Sequence, residues 1–239
     1  MLITTQGLEE DMVPPGEEVR RPWIVLNFAM SADGKLALAD CTPVDISSEE
    51  DMVRVHRLRA TCDAILVGAG TVVADDPKLH VSDKRVPDPP ALTKVVLDAS
   101  GRTPATARFL FSPGTAVVAT VEPTVQRLTK TLGDRARVLA CGSGPMVDLN
   151  ILMDHLSDMG VCRLMVEGGG ETLWSFLSQG LVDEYSVYIG PLIIGGAGAP
   201  TAADGPGACD MGEIVRLELL STERMGEGLW IRYRVRRHR

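Results

Sequence analysis

The sequence predicts an α/β domain: a central, mostly parallel sheet flanked by helices, with a C-terminal antiparallel hairpin. Three observations lead there. Short apolar segments rich in β-branched residues recur along the chain, several with the continuous apolar character of strands buried on both faces. Helical patterns alternate with them, as crossover connections require. The last two apolar segments have no helix between them, so they turn back on each other.

In chain order, residues 1–21 carry acids, Pro14, Pro15 and Gly16 with little periodicity and read as a flexible N-terminal arm, leaving 22–239 as a single domain. The first strand is Trp23–Met30. The helix at Ser47–Ala60 has strong local support: Ser47 and Glu50 make an S-x-x-E capping box, acids fill the first turn, and Arg54, Arg57 and Arg59 lie toward its C-terminal end. Strands then follow at Ala64–Val67, Lys94–Asp98, Ala116–Thr120, Arg137–Ala140, Arg163–Glu167 and Glu184–Ile194. Helices are expected at Thr124–Leu132, Leu149–Met159 and Glu171–Gln179. The Gly/Ala/Pro stretch from Gly195 to Gly207 reads as a surface loop, and Ile214–Thr222 and Leu229–Arg237 form the hairpin through Gly226-Glu227-Gly228.

A chain of 239 residues with 45% hydrophobic residues can bury a substantial core. Its net charge of −8 argues against a sequence-independent nucleic-acid binder, which needs a broad basic surface. The five cysteines are odd in number, never form C-x-x-C and sit mostly beside apolar runs, so buried free thiols in a reducing cytosol are expected. No apolar run approaches the roughly 20 residues that cross a bilayer, and the N-terminus lacks a basic segment followed by an apolar core. A cytoplasmic protein without membrane or nucleic-acid partners is expected.

Three segments could carry chemistry. Strand Ala64–Val67 runs into Gly68-Ala69-Gly70-Thr71, where two glycines permit close approach of a ligand and Thr71 can cap the following turn or offer its hydroxyl. The third glycine of a dinucleotide fingerprint is replaced by Val73, so a tight strand-to-helix turn and a nucleotide contact both remain open. The second segment, Val166-Glu167-Gly168-Gly169-Gly170-Glu171-Thr172-Leu173, ends a buried strand in an acid and exposes glycine amides at a helix start, which suits a pyrophosphate; no Walker lysine follows. The third, Asn27 to Lys35, contains Asp33-Gly34, which on its own reads as turn punctuation. Elements of a zinc deaminase and H-E-x-x-H are missing, the four histidines lack ligand spacing, and Gly142-Ser143-Gly144 lacks the first glycine of a nucleophile elbow, so metal and serine-hydrolase catalysis are disfavoured.

Taken together, N-F-A-M-S-A-D-G-K, L-R-A-T-C-D-A-I-L-V-G-A-G-T-V-V-A-D-D-P, K-V-V-L-D-A-S-G-R-T-P and V-E-G-G-G-E-T-L-W-S-F-L resemble, in order, the reductase family of riboflavin biosynthesis, over about Pro22 to Gly196. The resemblance implies a dihydrofolate-reductase-like fold, NADPH as cofactor with NADH left open, and a homodimer. Bacterial members carry a zinc deaminase domain in front; its absence here is similar to the stand-alone archaeal and fungal enzymes, which reduce 2,5-diamino-6-ribosylamino-4(3H)-pyrimidinone 5′-phosphate to the ribitylamino compound by hydride transfer to ribose C1′.

Carried over, the resemblance implies cofactor contacts at Ala29, Thr71, Asp75 and Gly168, Gly169, Gly170, Glu171, Thr172 and Leu173. It implies substrate contacts at Asn27, Arg59 and Glu167, with Asp33 or Glu167 managing protons. Where the family often places a basic residue for the substrate phosphate this chain has Ser82, followed by Lys84 and Arg85. Two rivals remain: a same-fold reductase acting on a pterin or another ribosylated heterocycle, and a non-catalytic nucleotide-binding domain.

Overall fold

The computed structural model describes residues 21–236. Seven strands run parallel: β1 (Trp23–Ser31), β2 (Ala64–Gly68), β3 (Thr93–Leu97), β4 (Ala116–Thr120), β5 (Arg137–Ala140), β6 (Arg163–Val166) and β7 (Glu184–Gly190). β8 (Leu217–Met225) and β9 (Gly228–Val235) form an antiparallel hairpin, and β9 pairs antiparallel with β7. The single sheet has the order β5-β4-β3-β2-β6-β1-β7-β9-β8.

Strand alternation divides the core into two layers. Ile24, Leu26 and Phe28 of β1, with Leu66, Val95, Val117, Leu164 and Val166, pack on α4 (Leu149–Asp158) and α5 (Gly170–Ser178). On the other face Val25 and Met165 meet Val55 and Leu58 of α1 (Glu49–Ala60). Ile65, Val67, Val96 and Val118 meet Val72 of α2 (Ala69–Asp75) and Leu128 and Leu132 of α3 (Glu122–Leu132). Lys94 of β3 is fully buried and its ammonium is held by the carbonyls of Phe109 and Ser112, at 2.7 and 2.6 Å, and by the Ser112 hydroxyl. Burial pulls its pKa below the ordinary lysine value. This contact pins a 3₁₀ turn, Arg108–Phe111, onto the sheet.

Several boundaries differ from the sequence expectation for local reasons. The α1 cap is Ser48, which accepts from the Asp51 amide, because the Ser47 hydroxyl instead donates to the Asp51 carboxylate. β7 stops at Gly190, since Pro191 has no N–H for the ladder. β8 starts at Leu217, later than expected, and carries an irregularity between Leu219 and Ser221. The stretch 195–207 has no helix or strand, yet it is packed rather than loose: Ala199 is buried, the Lys35 ammonium donates to its carbonyl, and the Leu36 amide donates to Pro200.

All five cysteines are free, but only Cys62 and Cys141 are buried; Cys41, Cys162 and Cys209 lie in exposed segments, so adjacency to apolar runs overstated their burial. The proposed arm falls outside the described residues except Arg21, whose guanidinium pairs with both carboxylate oxygens of Asp183. Arg237, the last residue of the expected hairpin, is also outside them. Among the described residues no helix is long and apolar enough to cross a membrane, and no cluster of potential metal ligands occurs.

Candidate active site

β6 is inserted between β2 and β1, and this placement creates the site. From β2 the chain proceeds toward the β3 side of the sheet, whereas from β6 it proceeds through α5 to β7 on the other side. Open α/β sheets bind ligands at such a switch point, outside the carboxyl ends of the strands. Both glycine-rich turns lie here and pack reciprocally. A Cβ on Gly68 would sit 2.6 Å from the Thr172 hydroxyl oxygen, and one on Gly168 would sit 3.0 Å from that of Thr71. Neither position can carry a side chain without displacing its neighbour.

Thr71 therefore does not cap α2: Gly68 is the cap, and Thr71 lies within the helix with its side chain against Gly168 and Gly169. Asp75 ends the same helix and is exposed. Gly169 caps α5 in a left-handed conformation (φ 66°) that favours glycine, and no side chain caps the helix. Its first-turn amides are left for an anion, at the positive end of the helix dipole. Gly168 is buried against Thr71 and Gly170 is closed over by Thr201 and Asp204, so Gly169 is the exposed glycine of the three. Glu171 is exposed at the helix start; Leu173 anchors the turn, its side chain fully buried and its amide bonded to the Gly169 carbonyl. A cradle of small residues with uncapped amides fits the diphosphate of a dinucleotide.

Arg59 and Glu167 meet beside this cradle. The Arg59 Nε and Nη2 each donate to a Glu167 carboxylate oxygen at 2.7 Å, and Nη1 donates to the His80 carbonyl at 3.0 Å. Burial works against the guanidinium charge, but the Glu167 carboxylate outweighs it and raises the Arg59 pKa. Three of the five N–H donors are engaged, which leaves two for a ligand.

Asn27 lies on the α1 face of β1 and is buried. Its side-chain oxygen accepts from Arg54 Nη1 at 2.8 Å and from the Ser186 hydroxyl at 3.1 Å, while Trp230 Nε1 donates to the same hydroxyl. Arg54 is fixed by Asp51 at 2.7 Å and lies over the Trp230 ring, and its Nη2 has no hydrogen-bond partner among the described residues. Ala29, two residues on, packs with Tyr188, Met225 and Trp230. Asp33 lies at the end of the first turn, where Ser31, Ile194 and Gly195 donate to its carboxylate. Those bonds, that from Ser31 first, hold its pKa down at about 2, so it stays ionised and anchors the 194–195 backbone.

Sequence reasoning missed His56. It is buried on α1, and its Nδ1 accepts the Ser82 amide at 3.1 Å, which makes Nε2 the protonated nitrogen. Burial, with Arg59 and Arg85 nearby, lowers its pKa to about 4. The signal was available in α1 itself: Asp51, Arg54 and His56 all fall on its buried side, an unusual load of polar groups for a core-facing helix. Of the two phosphate alternatives considered with Ser82, Arg85 pairs with Glu49.

The fold and site define a class, an open α/β domain with two glycine-rich turns packed against each other at the switch point of its sheet. The chain belongs to the family described as the RibD C-terminal domain, which matches residues 22–231. It is 43% identical over 218 residues to the 2,5-diamino-6-ribosylamino-4(3H)-pyrimidinone 5′-phosphate reductase of Methanothermobacter thermautotrophicus, covering 90% of this chain and 99% of that protein. The reductase of the same name from Archaeoglobus fulgidus is 40% identical over 224 residues, covering 91% and 100%. Among solved structures, RibD of Acinetobacter baumannii superposes with a TM-score of 0.74 at 25% identity, covering 91% of this chain and 59% of that one. The fold is the dihydrofolate-reductase-like fold of these reductase domains.

Proposed function

We propose that this protein reduces 2,5-diamino-6-ribosylamino-4(3H)-pyrimidinone 5′-phosphate to its ribitylamino product with NADPH as reductant. The observation that supports the reading most directly is the meeting of the two glycine turns with the Arg59–Glu167 pair at the β2/β6 switch point. The relatives that match nearly end to end are named as reductases of this pyrimidinone phosphate.

Bound at the cradle, the reduced nicotinamide supplies a hydride. The chain supplies position and charge. Gly168 and Gly169, with Glu171 and Thr172 in the first turn of α5, receive the diphosphate; Leu173 holds that turn in the core. Thr71 and Asp75 contact the cofactor from α2, and Ala29 offers backbone from β1. Arg59 and Glu167 bind the substrate, Glu167 relaying a proton from the exocyclic nitrogen to O4′ as the C1′–O4′ bond opens to the imine. C1′ then gains the hydride and the nitrogen gains a proton drawn from solvent, which completes the ribitylamino group. Asp33, held ionised, orients the loop beside the hydride-transfer site, and Asn27 is fixed below it by Arg54 and Ser186.

Loss of nicotinamide absorbance with the purified protein, the pyrimidine and each nicotinamide in turn tests the reading. Turnover faster with NADPH than with NADH is expected; binding of either without consumption would mark a sensing domain instead. A homodimer is part of the same reading, supported by β8 as an edge strand whose outer side has no strand partner among the described residues and which exposes Leu217 and Leu219. Light scattering that finds only monomer at assay concentration overturns it. The five free thiols support a cytoplasmic location.

A further inference from the structure

Arg54 is a buried cation that takes no part in the Arg59–Glu167 pair. Its side chain is 4% exposed, and burial pulls its pKa below the ordinary arginine value, with Asp51 first among the groups that oppose this. Nη2 is sealed from solvent and unpaired among the described residues, and the guanidinium lies over the Trp230 ring, so this end of Arg54 offers a ligand no direct contact. A buried ion pair such as Arg54–Asp51 is in itself weak evidence of stabilisation. What the guanidinium does reach is Asn27, whose Oδ1 accepts from Nη1 at 2.8 Å.

The groups around Asn27 fix which way its amide points. Arginine and tryptophan side chains donate and never accept. Trp230 Nε1 donates to the Ser186 hydroxyl oxygen at 2.9 Å, which leaves the hydroxyl proton for Asn27 Oδ1 at 3.1 Å. Arg54 adds a second, charged donor to the same oxygen. Turning the amide over would set its NH2 against the guanidinium, so Nδ2 faces away. Nδ2 has no hydrogen-bond partner among the described residues, yet it is not sealed as Arg54 Nη2 is. An acceptor stands beside it. Leu26 and Val166 are paired in register, so Asn27 and Glu167 follow side by side, and both fall on the α1 face two residues beyond Val25 and Met165. With neighbouring strands about 4.8 Å apart, the Asn27 donors and the Glu167 carboxylate share one rim of the crevice.

We propose that Arg54 is a positioning residue that acts through Asn27: by holding Oδ1, it makes Asn27 present two N–H donors and no acceptor to the reactant beside Glu167. The group met at this point is then a hydrogen-bond acceptor on the bound reactant. The inference rests on the proposed reductase reading, in which the pyrimidinone ring supplies that acceptor.

The test is a cycle of Arg54→Met, Asn27→Ala and the two together, followed by steady-state kinetics. Each single variant is expected to raise KM for the pyrimidine roughly tenfold and to leave KM for the nicotinamide unchanged, and the double variant is expected to be no worse than either. Losses that multiply in the double variant show Arg54 acting independently of Asn27 and overturn the proposal. So does Arg54→Met with an unmoved pyrimidine KM, or with equal losses for both reactants, as a general loosening of the fold would give. Arg54→Met leaves Asp51 a buried carboxylate without its cation; if that variant does not fold, Asp51→Asn combined with Arg54→Met takes its place in the cycle. A second readout needs no turnover. The chain has two asparagines, Asn27 and Asn150, so 15N labelling of asparagine gives two side-chain amide signals in NMR. Arg54→Met is expected to shift that of Asn27 and leave that of Asn150 in place, and an unmoved Asn27 signal overturns the proposal. If the unmodified protein consumes no nicotinamide with the pyrimidine, the reductase reading fails, while the NMR shift still decides whether Arg54 sets the Asn27 amide.

Discussion

Arg59 and Glu167, 108 residues apart in sequence, hold each other through two N–H···O bonds of 2.7 Å. The pair is largely buried, with side-chain exposures of 17% and 10%. Removing one partner therefore leaves the other as a poorly solvated charge.

Glu167→Gln keeps the shape but removes the charge. Its kcat/KM for the pyrimidine is expected to fall at least tenfold with little change in nicotinamide affinity, measured by steady-state kinetics and cofactor titration. Arg59→Lys is expected to lose a similar factor, because an ammonium cannot span both carboxylate oxygens and the His80 carbonyl at once. Unchanged kinetics in both variants would remove the pair from the site.

Two glycines of one turn should respond oppositely to alanine. A Cβ at Gly68 meets the Thr172 hydroxyl, so Gly68→Ala is expected to destabilise by about 1–3 kcal/mol and to weaken nicotinamide binding. Gly70 is exposed within α2 and a Cβ there meets no protein atom within 4 Å, so Gly70→Ala should stabilise by about 0.5–1 kcal/mol. Thermal unfolding and cofactor titration of the two variants check both signs.

His56 should make the protein acid-sensitive. Its folded pKa of about 4 lies below its unfolded value of 6.5, so below the unfolded value the unfolded chain binds a proton that the fold refuses. Stability from this residue is full above about 6.5 and is lost as pH falls toward about 4. His56→Asn, which cannot titrate, is expected to flatten the change in melting temperature between pH 7 and pH 5; an identical slope would show that His56 does not drive it.

Asp33 should act at a distance from its own turn. Asp33→Ala removes the acceptor for the Ile194 and Gly195 amides, so hydrogen exchange at those two amides is expected to accelerate at least tenfold. Exchange no faster than in the unmodified protein would mean that the 195–207 packing alone holds them.

The sheet was legible in the sequence because buried parallel strands are continuous apolar runs, and each of the seven fell close to its expected place. Boundaries moved where a single atom decided them, as with the missing amide of Pro191 or the Ser47 hydroxyl drawn to Asp51. The glycine turns announced themselves through composition, yet their reciprocal fit did not, since Gly68 and Thr172 meet only through strand order. For His56 and Arg54 the polar load of α1 was legible but their roles were not, because their hydrogen-bond partners Ser82 and Ser186 lie on other elements. The 195–207 stretch looked loose because glycine, alanine and proline carry no periodic signal, although its backbone is tied to β1 and closes over Gly170.

The place of β6 between β1 and β2 also sets a timetable for biosynthesis. Strands β1 and β2 emerge early, but neither pairs with the other: each pairs with β6, which follows about a hundred residues after the end of β2. Until that strand leaves the ribosome the growing chain has a slot where the sheet should be continuous, and neither the paired glycine turns nor the Arg59–Glu167 pair can exist. Cofactor added during translation should therefore protect the chain only after α5 has cleared the exit tunnel, at a stage when β7, β9 and β8 have still to extend the sheet beyond β1.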